Sequence, residues 1–157
     1  MKSAFVQTPL GTAQIIGSSE GITSFKVLEK NEFTSQIVPD ELQDAIFQIQ
    51  KYFEGNLKDF NLNLTPDGTE FQQKVWWELR KIPFGKTISY MELSKRLGDP
   101  KTIRAAASAN GKNPLWILIP CHRVIGSDGS LTGYAGGLWR KKWLLEHESS
   151  SKQLSLL

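Results

Sequence analysis

The first half of the chain has the pattern of a few strands followed by one helix. Two runs rich in β-branched and apolar residues, 12–16 and 22–28, flank the turn-forming sequence GSSEG, so the pattern predicts a β-hairpin. After Pro39, apolar side chains recur at helical spacing as far as Phe53, and the following Gly55 is placed to end that helix. This half therefore indicates a small sheet with one helix packed against it.

The second half is mainly helical. One helix is predicted by four apolar side chains at intervals of three or four: Phe71, Val75, Leu79 and Ile82. Ser89 and Glu92 then have the spacing of a capping box, and Gly98 is placed to end the helix that they begin. Asp99 can cap a further helix over residues 101–110. Two short helices joined by a tight Gly-Asp connection form a helix-turn-helix arrangement.

The chain after this arrangement contains a buried segment, a turn and a last helix. Residues 115–119 are apolar without alternation, which is typical of a buried extended segment. The turn sequence GSDG lies between two short runs inside residues 124–132. A glycine-rich loop over residues 133–137 then precedes a helix over residues 138–148. Strands early and helices late indicate an α+β fold.

A polar stretch at residues 61–67 marks the boundary between two domains. We expect a sheet-plus-helix domain over residues 1–65 and a mainly helical domain over residues 66–157. Nothing in the first of these suggests catalysis, whereas the second contains the helix-turn-helix arrangement and the only cysteine.

Charge is unevenly distributed between the two halves. Residues 1–65 hold five Lys against eight acids, a net −3, and residues 66–157 hold fourteen Lys or Arg against eight acids, a net +6. Between Arg80 and Lys112, eight basic residues are opposed only by Glu92 and Asp99. Such an excess is typical of a phosphate-binding face, and a merely solvated basic surface explains it equally well before any motif is considered.

Composition excludes several classes of protein. With 157 residues and 39% hydrophobic content, the chain has no apolar run long enough to span a bilayer, and its N-terminus has no signal-peptide pattern. One cysteine cannot form an internal disulfide, and one cysteine with two histidines offers no metal-ligand spacing. We therefore expect a cytoplasmic protein that has no membrane segment and no bound metal.

Cys121 is either a packing residue or a nucleophile. Cysteine reacts as the thiolate, so a nucleophilic role needs a neighbour that takes the proton. His122 adjoins it, but adjacent side chains of an extended segment point to opposite faces, so a bend or a bridging water is needed for transfer. A carboxylate that orients the imidazole could be Glu146 or Glu148. From these residues alone, a cysteine hydrolase and a thiol transferase fit equally well.

Two strings in this half resemble a known family. NPLWILIPCHRVIGSDGSLTGYAGGL resembles the active-site signature of the O6-alkylguanine-DNA alkyltransferases, and GTEFQQKVWWELRKIPFGKTISYMELSKRLG resembles their helix-turn-helix region at the matching distance from the cysteine. The resemblance is dense from Gly68 to Glu148 and looser in the N-terminal half, where it implies a ribonuclease-H-like domain. It implies a single-use repair protein that flips O6-alkylguanine out of duplex DNA and transfers the alkyl group to its own cysteine.

The resemblance also implies a role for each matching residue. Cys121 matches the alkyl acceptor, His122 the base that acts through a water, and Glu148 the carboxylate that completes the relay. Asn113 matches the asparagine between the recognition helix and the active-site segment. Arg104 matches the arginine that replaces the flipped base in the stack, and a long cation on a helix of small residues suits that role physically.

Further residues are assigned to DNA and to the base pocket. Tyr90 matches the tyrosine that rotates the target phosphate and meets the base, and it is the candidate proton donor to the departing guanine. The remaining DNA-binding candidates are Lys101, Thr102 and Ala105, and the pocket candidates are Tyr134, Trp116 and Ala135. The family presents the recognition helix to the minor groove, acts as a monomer and needs no cofactor. Trp116 is larger than its usual counterpart, so we expect methyl to be favoured over benzyl, with O4-methylthymine as a further candidate substrate.

Three other functions remain in view. An alkyltransferase-like protein that only binds lesions would lack the acceptor, so Cys121 argues against it. A cysteine hydrolase or acyltransferase leaves the helix-turn-helix and its charge unexplained. A transcription regulator would need a sensor or a second DNA-reading unit, and the chain contains neither pattern.

Overall fold

The first of two compact units is built on a three-stranded antiparallel sheet. The computed structural model describes residues 1–35 and 37–149. Its strands are β1 (Lys2–Thr8), β2 (Gly11–Ser18) and β3 (Gly21–Val27), in the spatial order β1-β2-β3. The predicted hairpin is β2–β3, and β1 is a further strand that the sequence pattern did not predict. Ile15 lies opposite both Ala4 and Phe25, and all three are buried, so this face of the sheet forms core.

Helix α1 (Asp40–Phe53) covers that core, as the spacing of its apolar residues predicts. Its first turn carries two acids and its last turn a lysine, which suits the helix dipole at both ends. Its buried face includes Leu42, Ile49 and Tyr52, each at most 1% exposed. The helix ends before Gly55, whose positive φ of 84° is favourable only for glycine.

The two units differ in one segment, residues 114–118, from the two continuous domains that the sequence predicts. The first unit comprises Met1–Asp67 and Pro114–Leu118, and the second comprises Gly68–Asn113 and the chain from Ile119 onward. Within the first unit, the Phe25 N–H donates to the Pro114 carbonyl, and the Phe25 carbonyl accepts from the Trp116 N–H, both at 2.9 Å. A buried extended segment was predicted here, but not its pairing with β3.

The second unit contains four helices, with α2 (Glu70–Leu79) first. Thr69 and Gln72 form a reciprocal capping box at its start. The helix-turn-helix follows as α3 (Tyr90–Arg96) and α4 (Ile103–Gly111), joined by a 3₁₀ turn at Pro100–Thr102. Ser89 and Asp99 cap these elements as predicted, although Ser89 makes only its own half of the capping box. The helix predicted from residue 101 begins as that 3₁₀ turn.

A short parallel pair and the last helix complete this unit. β4 (Ile88–Ser89) pairs with β5 (Val124–Ile125), and the predicted turn after β5 is present, closed by Gly126 N–H on the Ser130 carbonyl at 2.8 Å. Residues 130–132 form no strand. Helix α5 spans Leu138–Glu148. The sequence SSSKQLSLL at residues 149–157 predicts a frayed tail, which from residue 150 on lies outside the described residues. No described helix is long and apolar enough to cross a membrane.

Candidate active site

The nucleophile is presented on a tight turn. Cys121 N–H donates to the Ile119 carbonyl at 2.7 Å across Pro120, whose φ of −80° and ψ of 64° are those of an inverse γ-turn. The proline ring holds φ near this value, so the sequence itself favours the turn. A single 3₁₀ turn, Cys121–Arg123, follows directly. The backbone at Cys121 and His122 is therefore bent, which is one of the two conditions for proton transfer that the sequence left open.

In the first unit, the backbone of Ile117 is strained. Ile117 has φ of 73°, the one non-glycine residue of the described chain in the left-handed region, and Leu118 N–H donates across it to the Trp116 carbonyl at 2.8 Å. This γ-turn is of the rarer hand and costs a β-branched residue about 1–3 kcal/mol. Ile117 is buried, which offsets part of that cost.

Two buried asparagines from the end of α4 hold the active-site turn. Asn113 Nδ2 donates to the Ile119 carbonyl at 2.8 Å, and its side chain also hydrogen-bonds to the Cys121 thiol. Asn110 Nδ2 donates to the Cys121 carbonyl at 3.3 Å. Sequence reasoning identified Asn113 and missed Asn110. The signal for Asn110 was an amide on the buried face of α4, three residues before Asn113.

Burial keeps Cys121 protonated in the resting protein. The side chain is 4% exposed. Burial raises the thiol pKa to about 11, while the hydrogen bond from Asn113 and the charge of Lys141 act in the opposite direction. At neutral pH the group is a thiol, so alkyl transfer requires a base within reach.

His122, Glu148 and Arg123 form a buried ion-paired cluster. His122 Nε2 lies 2.9 Å from Glu148 Oε2. Arg123 donates to the same carboxylate through Nε at 2.8 Å and Nη2 at 3.0 Å, and its Nη1 donates to the Ile82 carbonyl at 2.7 Å. Of the two carboxylates that the residues alone left open, Glu148 makes the contact. Glu146 is exposed and lies 3.9 Å from Lys142.

The cluster determines which histidine nitrogen carries the proton. Burial alone would raise the pKa of Glu148, but His122 and Arg123 hold it well below its usual value, so Glu148 is ionised. Burial lowers the pKa of His122, which is therefore neutral. An ionised carboxylate can only accept, so Nε2 carries the hydrogen and Nδ1 has a free lone pair. Nδ1 is buried and makes no protein hydrogen bond, which leaves it available as a base.

The second unit contains both tyrosines that the sequence assigns to the site, Tyr90 and Tyr134. Tyr90 Oη donates to the Thr132 carbonyl at 3.0 Å, and burial raises its pKa, so the hydroxyl keeps its proton. Gly133 adopts φ of 67°, and a Cβ there would lie 3.1 Å from Tyr90 Oη, so glycine allows the loop to approach the hydroxyl. Tyr134 is buried, with a pKa raised well above its usual value, and Ala135 is exposed.

The helix-turn-helix leaves its DNA-binding candidates at the surface. Arg104, Ala105 and Lys101 are exposed and Thr102 is partly exposed, whereas Ala106 is buried. No carboxylate of the described residues lies within salt-bridge distance of Arg104 or Lys101. Both cations are therefore available to phosphates.

Helix α5 buries a residue that sequence reasoning missed. Lys141 lies in an Arg-Lys-Lys run that is typical of a solvated surface, yet its side chain is 0% exposed. The buried face of α5 is Lys141, Leu144 and Glu148, at intervals of three and four. The apolar side chains of Leu138 and Trp139 on the same helix are 50% and 55% exposed. Helical spacing from Glu148 was the signal that could have identified Lys141.

Two predicted assignments concern what the site binds. Trp116 is buried and belongs by its contacts to the first unit, so its assignment to the base pocket stays a prediction. Among the described residues, no three His, Cys, Asp or Glu side chains come close enough to share a metal ion.

A helix-turn-helix with exposed surface cations and a buried cysteine beside a histidine are typical of a DNA-binding protein that reacts through a thiol, and comparison with known proteins gives the family. Residues 70–150 match the 6-O-methylguanine DNA methyltransferase DNA binding domain, and residues 1–66 match the ribonuclease-like domain of the same proteins. The chain belongs to the 6-O-methylguanine DNA methyltransferase family. Its helix-turn-helix and its cysteine turn both lie in the first of these matches.

Similar proteins cover nearly the whole chain. A methylated-DNA–protein-cysteine methyltransferase of Methanosarcina acetivorans is 43% identical, over 96% of this chain and 99% of that protein. One from Mycobacterium tuberculosis is 42% identical, over 92% and 90%. The crystal structure of M. tuberculosis OGT in complex with DNA aligns with a TM-score of 0.84 at 41% identity, covering 93% of this chain and 92% of that one.

Proposed function

We propose that the protein repairs O6-alkylguanine, chiefly O6-methylguanine, in duplex DNA by transferring the alkyl group to Cys121 once per molecule. The observation that carries this proposal is the placement of the only cysteine. Cys121 lies on a turn held by the end of the helix-turn-helix and adjoins a histidine whose free nitrogen can act as a base. Relatives at about 40% identity are named for the same reaction.

The transfer is a displacement at the alkyl carbon. His122 Nδ1 takes the thiol proton through a bridging water, and Glu148 stabilises the imidazolium that forms. The Cys121 sulfur then forms a bond to the alkyl carbon as the bond from that carbon to O6 breaks, and the electron pair stays on guanine. A proton from the Tyr90 hydroxyl neutralises the guanine. The thioether is stable, so no second turnover follows.

DNA binding brings the alkylated guanine to this site. Flipping a base costs a few kcal/mol of unstacking, and a side chain that fills the gap recovers part of it. Arg104 of α4 fills the gap from the minor groove. Lys101, Thr102 and Ala105 contact the DNA backbone beside that gap. Small residues on this helix let its backbone approach the DNA closely.

The base pocket is assigned to three residues from the loop and the apolar segment: Tyr134, Ala135 and Trp116. We expect Trp116 to restrict the pocket to small alkyl groups. Replacement of Trp116 by alanine should therefore speed inactivation by O6-benzylguanine relative to the unaltered protein, measured as residual repair activity over time. Rapid inactivation of the unaltered protein would contradict this assignment.

The function is tested by counting repair events. Purified protein is titrated against duplex DNA containing O6-methylguanine, with Cys121→Ser as the matched control. We expect one lesion repaired per protein molecule, then no further repair, and DNA binding without repair by the control. Continuing turnover would indicate a hydrolase or acyltransferase, and binding without methyl loss by the unaltered protein would indicate a lesion-binding protein.

Two further properties belong to the proposal. The protein works in the cytoplasm, since a lone acceptor thiol needs a reducing compartment to stay available. It acts as a monomer, because one acceptor, one base and one helix-turn-helix are supplied by a single chain. Light scattering of the free protein and of its complex with DNA checks the second property.

A further inference from the structure

Lys141 is a buried cation without an acidic partner. Its side chain is 0% exposed, and its Nζ donates to the Thr132 carbonyl at 2.7 Å. No carboxylate oxygen of the described residues lies within 4.0 Å of that nitrogen. An unpaired ammonium in the interior is strongly destabilising, because the charge loses its hydration and gains no counterion. The position therefore favours an anion that the resting protein does not contain.

The groups that face Lys141 come from three parts of the second unit. The Tyr90 ring of α3 lies 5.7 Å from Nζ, a cation–π distance, and Thr132 precedes α5. Cys121 and His122 of the 3₁₀ turn both interact with its charge. Glu148, on the same helix, is already engaged by His122 and Arg123, and neighbouring Arg140 and Lys142 are cations.

Of these facing groups, Cys121 is the first that the reaction makes anionic, because Tyr90 gives up its proton only as guanine leaves. His122 passes from neutral to positive. The charge of Lys141 lowers the pKa of Cys121, and the Cys121 anion in turn raises that of Lys141. Burial lowers the pKa of Lys141 to about 8, so the group is still mostly charged at neutral pH.

We propose that Lys141 is the counterion of the Cys121 thiolate, a positioning residue that stabilises the anion while the alkyl group is transferred. This inference rests on the proposed function, since it gives a role to a residue of the same site. Lys141 keeps all its protons and forms no bond: the thiol proton goes to His122, and the sulfur electron pair goes to the alkyl carbon. Once the thioether has formed, Lys141 again has no counterion.

The test compares Lys141→Met with Lys142→Met, which removes the same charge from an exposed neighbour on the same helix. At neutral pH Lys141 is mostly charged and Cys121 is the only cysteine, so the rate at which iodoacetamide alkylates the Cys121 thiolate reports this pair without DNA. We expect Lys141→Met to slow this alkylation, and methyl transfer, about tenfold at neutral pH, because the thiolate is about one pKa unit harder to form. The rate should recover at higher pH, and Lys142→Met should match the unaltered protein.

A purely structural role predicts a different pattern. Methionine replaces an unpaired charge by an apolar chain of similar shape, and the Thr132 carbonyl still accepts from Tyr90, so we expect no loss of unfolding free energy. Lys141→Arg, which keeps the charge, should keep the alkylation rate of Cys121 near its original value. An unchanged alkylation rate in Lys141→Met, or a rate loss that no pH restores, would overturn the proposal.

The alkylation is independent of DNA, so the two proposals fail separately. Absence of methyl transfer in the unaltered protein would refute the function, whereas an unchanged alkylation rate in Lys141→Met would refute only the role of Lys141. Should Lys141→Met not fold, Lys141→Gln removes the same charge and keeps a donor for the Thr132 carbonyl. An unchanged alkylation rate in that variant would contradict the counterion role.

Discussion

Glu148 balances the buried charges of the site. It accepts from both Arg123 and His122, and both of those side chains are almost completely buried. An ion pair of this kind contributes little net stability when intact, but removal of one partner leaves an uncompensated buried charge. The contacts of Arg123 therefore support a structural role, in which it keeps Glu148 ionised.

Glu148→Gln should lower the unfolding free energy by about 3 kcal/mol, because Arg123 then lacks its counter-charge. Glu146→Gln, on the same helix but exposed, is the control and should change it by no more than about 0.5 kcal/mol. Urea denaturation measures both. Equal effects of the two substitutions would show that the buried cluster does not carry this energy.

Stability should also depend on pH through the same residues. The pKa of Glu148 lies below its usual value of 4.5, so its contribution is fully present above about pH 4.5 and is lost as pH falls below it. The pKa of His122 lies below its usual 6.5, so the unfolded chain takes up this proton before the folded protein does. The folded protein therefore also loses stability at His122 as the pH falls below 6.5. Denaturation midpoints should fall as the pH is lowered from 7 to 3, and the part of the fall below pH 4.5 should be smaller in Glu148→Gln. A flat profile would contradict the protonation states assigned to the cluster.

At the scale of elements, α4 joins DNA recognition to the nucleophile. Arg104 near its start is exposed, and Asn110 near its end holds the Cys121 carbonyl. Trp76 of α2 donates to the Ala109 carbonyl at 2.9 Å, which anchors the last turn of the helix. One short helix therefore carries both the side chain that we propose enters the DNA and a hydrogen bond that holds the backbone of Cys121.

Arg104→Ala separates these two tasks. We expect it to slow repair of O6-methylguanine in duplex DNA at saturating protein by at least about tenfold, because the gap left by the flipped base is no longer filled. Reaction with free O6-methylguanine, which needs no flipping, should be unchanged. Single-turnover rates on both substrates are the measurement, and equal losses on the two would remove the gap-filling role.

At the scale of the whole molecule, local signals in the sequence were sufficient for the helices and insufficient for the strand pairing. Helix caps such as Ser89 and Asp99, and the stop at Gly98, are short-range effects of side-chain and backbone chemistry, so the helix-turn-helix was predictable. The parallel pairing of β4 with β5 and the bridge from Phe25 to Leu115 depend on residues far apart in sequence. No periodicity reports such contacts.

The same distinction applies to the candidate site. Cys121, His122, Glu148 and Asn113 were identified through a resemblance of motifs, and the contacts among them are present in the fold. Lys141 was missed because a lysine between two other cations is normally solvated, and only the burial of its helix face reveals it. Buried charge is a property of packing, so a pattern of residue types alone does not indicate it.

The central claim is that Cys121 itself receives the alkyl group. The most direct measurement is the mass of the Cys121 peptide after reaction with one equivalent of duplex DNA containing O6-methylguanine. We predict that this peptide gains one methyl group in proportion to the guanine restored, with all other peptides unchanged. Repaired DNA beside an unmodified Cys121 peptide would contradict the account.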